Sequence, residues 1–226
     1  MTYKKVLALV EGETEFGFLQ RVIVPHLTTF GIYLTPIITT NKQIIGEHDR
    51  KGGLSKYAPV RKELQELLGD TSAAMVTTMF DYYALPEDFP GRSALPPGDC
   101  YTRVSHIEHA MQADLADKYG GERFQPFLTL HEYEGLLFTA PEMIASAFPA
   151  LKIIAQLQKI RDAVQSPEEI NNNPITAPSK RIEQIIPGKY QKPFHGPLIA
   201  TRIGIAAMRD ACPHFNGWIT RLEQLA

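Results

Sequence analysis

Short apolar runs of strand length recur through the N-terminal part of the chain. The clearest are residues 6–10, 73–80 and 124–130, which carry no charged side chain. Runs of this length and composition, bounded by glycine or by an acid, are typical of strands buried in a parallel sheet. Residues 32–39 form a further candidate, in which Pro36 indicates an edge strand or an irregular one.

Apolar residues at helical spacing separate these runs. Residues 15–29 predict a first helix, which Thr14 should cap and Pro25 should kink or end early. Residues 57–68 and 101–119 predict two more helices. Because strands and helices alternate, the pattern favours an α/β fold with a mostly parallel sheet flanked by helices and right-handed connections.

The pattern of the last third of the chain is helical. Pro141 should begin a short helix, because proline is favoured at the first helical position, and Ser179 should cap another. Residues 199–225 predict two helices separated at Pro213. Residues 188–197 are basic and aromatic and predict no clear secondary structure.

Length and composition agree with a single globular unit. The chain has 226 residues, of which 44% are hydrophobic, so it can bury a substantial core. We predict an α/β core over residues 1–140 and a helical extension over residues 141–226 that packs on it, giving one structural domain overall. The polar residues 41–53, which include Gly52 and Gly53, should form a loop of the core.

Charge and cysteine content narrow the function classes. The net charge of −2 differs from the basic balance of most nucleic-acid-binding domains, so any nucleic-acid contact must be local, metal-assisted or shared with a partner. Cys100 and Cys212 are far apart and form no CxxC motif, which argues against a thiolate metal site and against a disulfide framework. No apolar run reaches membrane-spanning length, so we expect a cytoplasmic protein without a membrane partner.

Acidic residues follow three of the predicted strands. Glu11, Asp81 and Glu132 come at or just after strand ends, Glu134 is close to the third, and Glu15 lies in the first turn of the first helix. Because the carboxyl ends of parallel strands share one edge of a sheet, these carboxylates should converge there. Clustered carboxylates suit Mg²⁺ or Mn²⁺, and such an ion can activate water or neutralise a phosphoryl group. The alternative is that each acid is a solvated loop residue, or a favourable charge at a helix N-terminus.

The basic and aromatic candidates are less specific. Lys180 and Arg181 at a predicted helix start, Lys192 near Tyr190, and Tyr83 after the third strand could bind phosphate or nucleic acid. Ordinary surface solvation, or packing in the case of the tyrosine, explains them equally well. We interpret His131 as a structural residue.

Several motifs together resemble a known family. The first of them resembles motif one of TOPRIM domains, especially those of the overcoming-lysogenization-defect (OLD) nucleases. The full set is similar to the bacterial domain-of-unknown-function family 4276 and spans nearly the whole chain. Its members are Val10-Glu11-Gly12-Glu13-Thr14-Glu15, Phe80-Asp81-Tyr82-Tyr83, His131-Glu132-Tyr133-Glu134-Gly135, Ala177-Pro178-Ser179-Lys180-Arg181 and Cys212-Pro213-His214-Phe215.

The resemblance implies a TOPRIM-like fold and a Mg²⁺-dependent phosphodiester site. It makes Glu11 the general acid/base or a metal ligand, Glu15 an acidic metal ligand, and Asp81 the first acid of an Asp-x-Asp motif. The second acid of that motif is replaced by Tyr83 here, which leaves one of the acids after the fourth strand to supply the missing ligand. Families of this kind often accompany an ATPase of the ABC or SMC type in phage defence. This chain has no GxxxxGK[ST] phosphate loop of its own.

Three functional hypotheses follow. The first is a Mg²⁺- or Mn²⁺-dependent nuclease acting on DNA or RNA, with DNA the preferred substrate and an ABC/SMC-type ATPase as its partner. Its predicted catalytic residues are Glu11, Asp81 and Glu132, and its metal ligands are Glu11, Glu15, Asp81, Glu132 and Glu134. The second is a non-catalytic sensor or scaffold that binds such an ATPase. The third is phosphotransfer through Asp81 in the manner of a response-regulator receiver.

Overall fold

A five-stranded parallel sheet forms the centre of the computed structural model, which describes residues 3–41, 53–119, 121–171 and 176–226. The loop predicted for residues 41–53 therefore lies almost entirely outside the described residues. The strands are β1 (Lys4–Val10), β2 (Ile32–Ile38), β3 (Ala73–Asp81), β4 (Phe124–Gln125) and β5 (Leu128–Thr129). Their order is β2-β1-β3-β4, with β5 also pairing with β3.

The register of the sheet brings the predicted acids to one edge. β1 lies between β2 and β3 and pairs in parallel with both, so that Val10 lies opposite Ile38 and Met79. Asp81 lies opposite Thr129 of β5. β2 is an edge strand, as Pro36 predicted, because a proline cannot donate to a neighbouring strand.

The fourth predicted strand is interrupted, so its prediction as one run over residues 124–130 is wrong. It consists of β4 and β5, separated by Pro126 and Phe127. Pro126 has no N–H for a continuous ladder. The Thr78 hydroxyl replaces the missing pairing: it accepts the Phe127 N–H and donates to the Phe127 carbonyl oxygen, both at 3.0 Å.

Ten α-helices lie in the described ranges. They are α1 (Glu13–Phe18), α2 (Val24–Thr28), α3 (Tyr57–Leu68), α4 (Cys100–Tyr119), α5 (Pro141–Ser146), α6 (Ile154–Arg161), α7 (Pro178–Ile185), α8 (Lys192–Ile203), α9 (Ile205–Ala211) and α10 (Pro213–Glu223). The prediction for α3 is confirmed at both ends, and that for α4 to within one residue. None of the helices in the described ranges combines the length and apolarity that crossing a bilayer requires.

The first helical segment accommodates its proline without ending. A π-helical stretch, Leu19–Ile23, joins α1 to α2, and the Val24 N–H donates to the Leu19 carbonyl five residues earlier. The segment continues through Pro25 to the end of α2. The prediction that Thr14 caps the helix is wrong: Gly12 is the N-cap, and no side chain there accepts a hydrogen bond.

The C-terminal part contains more helix than the pattern predicts. Residues 188–197 were predicted to lack regular structure, yet α8 begins at Lys192, with Pro193 in its first turn, where a proline costs no hydrogen bond. Gly204 (φ 81°) separates α8 from α9, so residues 199–225 contain parts of three helices rather than two. The prediction that Ser179 is an N-cap is also wrong, because it lies inside α7.

Both faces of the sheet are covered by apolar packing. Leu7 and Leu9 of β1 face the side that α3 and α4 cover, whereas Val6, Ala8 and Val10 face the side covered by α1 and the C-terminal helices. A parallel sheet covered on both faces is the α/β arrangement predicted from the sequence, and that prediction is confirmed. The C-terminal helices therefore share a core with the first strands.

Two glycines allow α8 to approach α1 closely. A Cβ on Gly17 would lie 2.9 Å from Cγ of Pro197, and one on Gly196 would lie 3.0 Å from Cε1 of Tyr133 and 3.4 Å from Cγ2 of Thr14. Real Cβ atoms do not tolerate the first distance and rarely tolerate the second. The N-terminal turn of α8 is thus fixed beside the carboxyl edge of the sheet.

Candidate functional site

Five carboxylates from separate segments act on one another at the carboxyl edge of the sheet. We call this set the acidic cluster; it comprises Glu11, Glu15, Asp81, Glu132 and Glu134. Asp81 is its common member, because each of the other four raises the pKa of the Asp81 carboxyl through like-charge repulsion. The convergence expected from the strand ends is therefore present in the structure.

Asp81 is held by two hydrogen bonds, one from β5 and one from the 3₁₀ helix that follows it. Its Oδ1 accepts the Thr129 hydroxyl at 2.7 Å and the Tyr133 N–H at 3.0 Å. Burial is the largest cause of its raised pKa, and the neighbouring carboxylates add to it. The strand end therefore fixes the orientation of the carboxylate while its surroundings disfavour its charge.

Glu15 reaches the cluster from the first turn of α1. It is only 8% exposed, and its carboxylate lies beside Gly12, where a Cβ would be 3.4 Å from Oε2. Burial raises the pKa of Glu15 to about 7, and the charge of Glu134 adds to this effect. The backbone N–H groups of Glu15 and Gly12 and the ammonium group of Lys192 oppose it. Glu15 therefore exchanges protons near neutral pH.

Glu132 directly precedes the 3₁₀ helix Tyr133–Thr139, Glu134 lies in its first turn, and the two acids share one cation. The Nζ atom of Lys192 lies 3.9 Å from Oε1 of Glu132 and 3.4 Å from Oε1 of Glu134. The Ser179 N–H donates to Oε2 of Glu132 at 2.9 Å, and the Tyr190 hydroxyl donates to Oε1 of Glu134 at 3.5 Å. The two acids are thus bound by three segments of the C-terminal part.

Charge coupling across the cluster is consistent with these contacts. Burial is the main cause of the raised pKa of Glu134, with Glu132 contributing, while Lys192 opposes the shift. The same two carboxylates raise the pKa of the Lys192 ammonium above its usual value against the effect of burial. Lys192 is therefore charged at physiological pH and serves as a counterion to the cluster.

The other predicted basic and aromatic residues have partners of their own. Lys180 pairs with Glu183 on the next turn of α7 at 2.6 Å, and Nε of Arg181 donates to the Thr176 carbonyl at 2.7 Å. The Tyr83 N–H donates to the His131 carbonyl at 3.2 Å. None of these contacts joins them to the acidic cluster, although α7 touches it through Ser179.

His131 directly precedes Glu132 in the sequence, but its side chain carries no charge that could add to the acidic cluster. Burial lowers the pKa of its imidazole to about 4, so the ring is neutral at physiological pH. Its carbonyl oxygen anchors the backbone at Tyr83. These observations agree with the structural interpretation drawn from the sequence.

Sequence reasoning missed two polar groups that position the acids. Thr129 orients Asp81, and Tyr190 contacts Glu134. Thr129 belongs to a run that otherwise has the pattern of a plain buried strand. Tyr190 precedes Lys192 by two positions in a stretch without recognisable periodicity, so no sequence signal connects it with Glu134.

The donor set fits a divalent cation in chemistry, although no ready-made coordination geometry is present. Within the described residues, no group of three or more His, Cys, Asp or Glu side chains is arranged to hold a metal ion. The cluster nevertheless brings five oxygen-donor side chains to one edge of the sheet, two of them paired with the ammonium group of Lys192. Two buried hydroxyls beside it, those of Tyr133 and Ser179, lack a hydrogen-bond partner. Excess negative charge and unsatisfied buried polar atoms both indicate a missing cationic or water-bearing ligand.

Comparison with family models identifies the chain. A model described as a domain of unknown function (DUF4276) matches residues 10–223. The chain belongs to this family. The family match spans all five acids of the cluster together with Lys192, and the membership predicted from the sequence motifs is confirmed.

Solved structures provide more distant similarities. The chain is similar to the C-terminal region of the Burkholderia pseudomallei OLD protein, with 17% identity, a TM-score of 0.44 and coverage of 99% of this chain and 97% of that chain. It is also similar to the C-terminal region of the Xanthomonas campestris pv. campestris OLD protein, with 19% identity, a TM-score of 0.38 and coverage of 96% and 94%. Comparison with curated proteins finds no match.

Proposed function

We propose that this protein is a metal-dependent nuclease that hydrolyses phosphodiester bonds. The observation that carries the proposal is the convergence of four carboxylates on a fifth, that of Asp81, at the carboxyl edge of a parallel sheet. Glu11, Glu15, Asp81, Glu132 and Glu134 would hold Mg²⁺ or Mn²⁺. When bound, the ion would supply charge neutralisation for the phosphoryl group and a more acidic water.

The protein's own groups would orient the reacting parts. Thr129 and the Tyr133 N–H hold Asp81 in one orientation, and the Ser179 N–H holds Glu132. Fixed carboxylates need no reorganisation during the reaction, which is the main benefit of a preformed site. Glu15, with its pKa of about 7, can hold or release a proton on its carboxylate at neutral pH.

Basic residues near α7 would bind the phosphate backbone outside the acids. Lys180 is about two-fifths exposed and its partner Glu183 is similarly exposed, so this pair can exchange for a phosphate contact at little cost. Arg181 belongs to the same turn. We propose DNA or RNA as the substrate, with DNA preferred, and an ATPase of the ABC or SMC type as the partner. We propose a role in phage defence in the cytoplasm.

Plasmid cleavage with Mg²⁺ or Mn²⁺ tests this proposal. We expect Asp81→Asn and Glu15→Gln each to reduce the cleavage rate at least about 100-fold, because each removes a carboxylate charge from the site while keeping its shape. Glu13→Gln is the matched control, since Glu13 lies in the same turn as Glu15 but is exposed to solvent. Parent-like cleavage by Asp81→Asn would show that this site does not cut.

A second candidate function is a non-catalytic sensor or scaffold that binds an ATPase. One specific observation favours it: Lys192 already neutralises part of the cluster from within the chain. The tyrosine at position 83, in place of the second acid of the motif, agrees with it. Titration with Mn²⁺ separates the two functions, because a scaffold that relies on Lys192 alone would bind no metal ion.

A further inference from the structure

Lys192 is the charged residue through which the C-terminal part enters the acidic cluster. Its ammonium lies between Glu132 and Glu134, at 3.9 and 3.4 Å. Both separations exceed the 2.7–2.9 Å usual for charge-assisted hydrogen bonds. The side chain remains 36% exposed, whereas that of Glu134 is 2% exposed. Lys192 therefore holds the cluster by charge, through loose contacts and with access to solvent.

The backbone that carries Lys192 is firmly held. The Gln191 N–H donates to Nδ1 of His195 at 2.9 Å, and the Gln191 carbonyl accepts the His195 N–H at 2.8 Å. One turn further on, Gly196 packs against Tyr133 with no room for a Cβ. The lysine can leave the cluster by rotation of its own side chain, without movement of α8.

The cluster needs more positive charge than Lys192 supplies. The cluster has five carboxylates, and the ammonium group of Lys192 pairs with two of them, Glu132 and Glu134. The hydroxyl of Tyr133, a residue with no exposed surface, lacks a partner, although the N–H of the same residue donates to Asp81. This orphaned hydroxyl is an independent indication that a ligand belongs in the cluster.

We propose that Lys192 is an exchangeable internal counterion: it stabilises Glu132 and Glu134 in the metal-free protein, and a divalent cation entering the cluster displaces its ammonium group. The inference rests on the metal site of the proposed function. It adds that metal affinity is limited by competition with a residue of the same chain. The released ammonium remains tethered at the rim of the site.

The size of the competition follows from electrostatics. A unit positive charge about 4 Å from a carboxylate disfavours the approach of a second cation by at least about fivefold in affinity, and by more where the site is partly buried. Replacing Lys192 with methionine keeps most of the aliphatic stem and removes the charge. We therefore expect Lys192→Met to bind Mn²⁺ at least about fivefold more tightly than the parent.

Calorimetric titration of the full chain with Mn²⁺ alone is the test. Lys192→Arg keeps the charge and should bind within about twofold of the parent. Lys189→Met is the matched control, because Lys189 lies three positions earlier and is exposed. The proposal is overturned if Lys192→Met binds Mn²⁺ no more tightly than the parent does. It is also overturned if Lys192→Arg, which keeps the charge, increases the Mn²⁺ affinity as much as Lys192→Met does. Absence of Mn²⁺ binding by both the parent and Lys192→Met overturns it as well.

Thermal unfolding provides a readout that is independent of cleavage. Without metal, Lys192→Met should unfold at a lower temperature than the parent, since it leaves Glu132 and Glu134 without their counterion. Saturating Mn²⁺ should raise its unfolding temperature by more than that of the parent. Tighter binding by Lys192→Met in a protein that never cuts a plasmid would support the counterion while rejecting the nuclease. Plasmid cleavage by the parent, together with a Mn²⁺ affinity that Lys192→Met leaves unchanged, would support the nuclease and reject the counterion.

Discussion

At the scale of single residues, the site depends on carboxylates placed where their charge is disfavoured. Burial is the main cause of the raised pKa values of Asp81 and Glu15, and the neighbouring carboxylates add to the effect. Such an arrangement costs stability in a metal-free protein and is retained at functional sites rather than in ordinary cores. The protonation of Glu15 should therefore be visible in the stability of the whole chain.

Glu15→Gln should flatten the pH dependence of stability. The pKa of Glu15 rises from 4.5 to about 7 on folding, so between these values the folded protein binds more protons than the unfolded chain. Stability must then fall as the pH rises through this window. Between pH 5 and pH 8 the parent, in EDTA, should lose about 2–3 kcal/mol more than Glu15→Gln, by urea denaturation.

The exposed neighbour provides the control for this experiment. Glu13→Gln should keep the steeper dependence of the parent, because Glu13 is solvated in the same turn. Equal slopes for the parent and Glu15→Gln would mean that Glu15 titrates as an ordinary glutamate.

At the scale of elements, the packing of α8 on α1 positions the basic side of the site. This contact depends on two glycines that face Pro197 and Tyr133. Pro197 lies inside α8, where a proline removes a helical hydrogen bond. The helix is therefore held in place by close tertiary contact rather than by its own propensity.

Gly196→Ala should destabilise the protein, although alanine is the better helix former. The new methyl group would lie 3.0 Å from the Tyr133 ring and force it or α8 aside, at a cost of about 1–3 kcal/mol. Gly217→Ala in α10 is the matched control, because no atom lies within 4 Å of its Cβ position; it should gain about 0.5–1 kcal/mol. Urea denaturation measures both, and destabilisation of the same size in the two variants would contradict the steric argument.

The elements that the sequence predicted well are those determined by local pattern. The apolar run of β1 and the stripe of α3 determine their structure without help from distant residues. The break at Pro126 was missed because the compensating group, Thr78, lies on another strand. The N-terminal half of α8 was missed because two prolines and a glycine are normally helix-breaking, and tertiary packing overrides that preference.

For the site, the sequence was sufficient to place the strand-end acids but not the residues that pair with them. Strand-end position was enough to bring Glu11, Asp81 and Glu132 to one edge, since the geometry of a parallel sheet is general. The pairing of Lys192 with Glu134 was beyond prediction, because it depends on how α8 docks. No sequence signal indicates that Lys192 should pair with a carboxylate rather than with a phosphate.

At the scale of the whole molecule, the two predicted parts share one core. Trp218, the single tryptophan, stacks on Phe127 with ring centroids 4.3 Å apart, and its indole N–H donates to the Thr77 hydroxyl at 2.9 Å. Phe215 lies beside Phe18 of α1, with ring centroids 6.1 Å apart. The division at residue 140 therefore separates segments of sequence whose side chains are packed together.

A fragment of residues 1–140 should not fold alone. It would expose Phe18 and Phe127 on the face that α10 covers, and burial of each such side chain contributes about 1.5–3 kcal/mol. We expect the fragment to show no cooperative urea transition by circular dichroism. In the full chain, fluorescence of Trp218 and circular dichroism should report the same midpoint. Cooperative unfolding of the fragment would contradict the shared core.

The order of synthesis determines when Lys192 joins its acids. A chain made from its N-terminus completes Glu11, Asp81 and Glu132 first, then Lys192, and last the helix α10 that carries Trp218. Because the ring of Trp218 stacks on Phe127 in the core of the sheet, the strands can pack only after the lysine has also been made. The acids and their internal counterion are therefore brought together in one folding step, and a divalent ion would meet Lys192 from the outset.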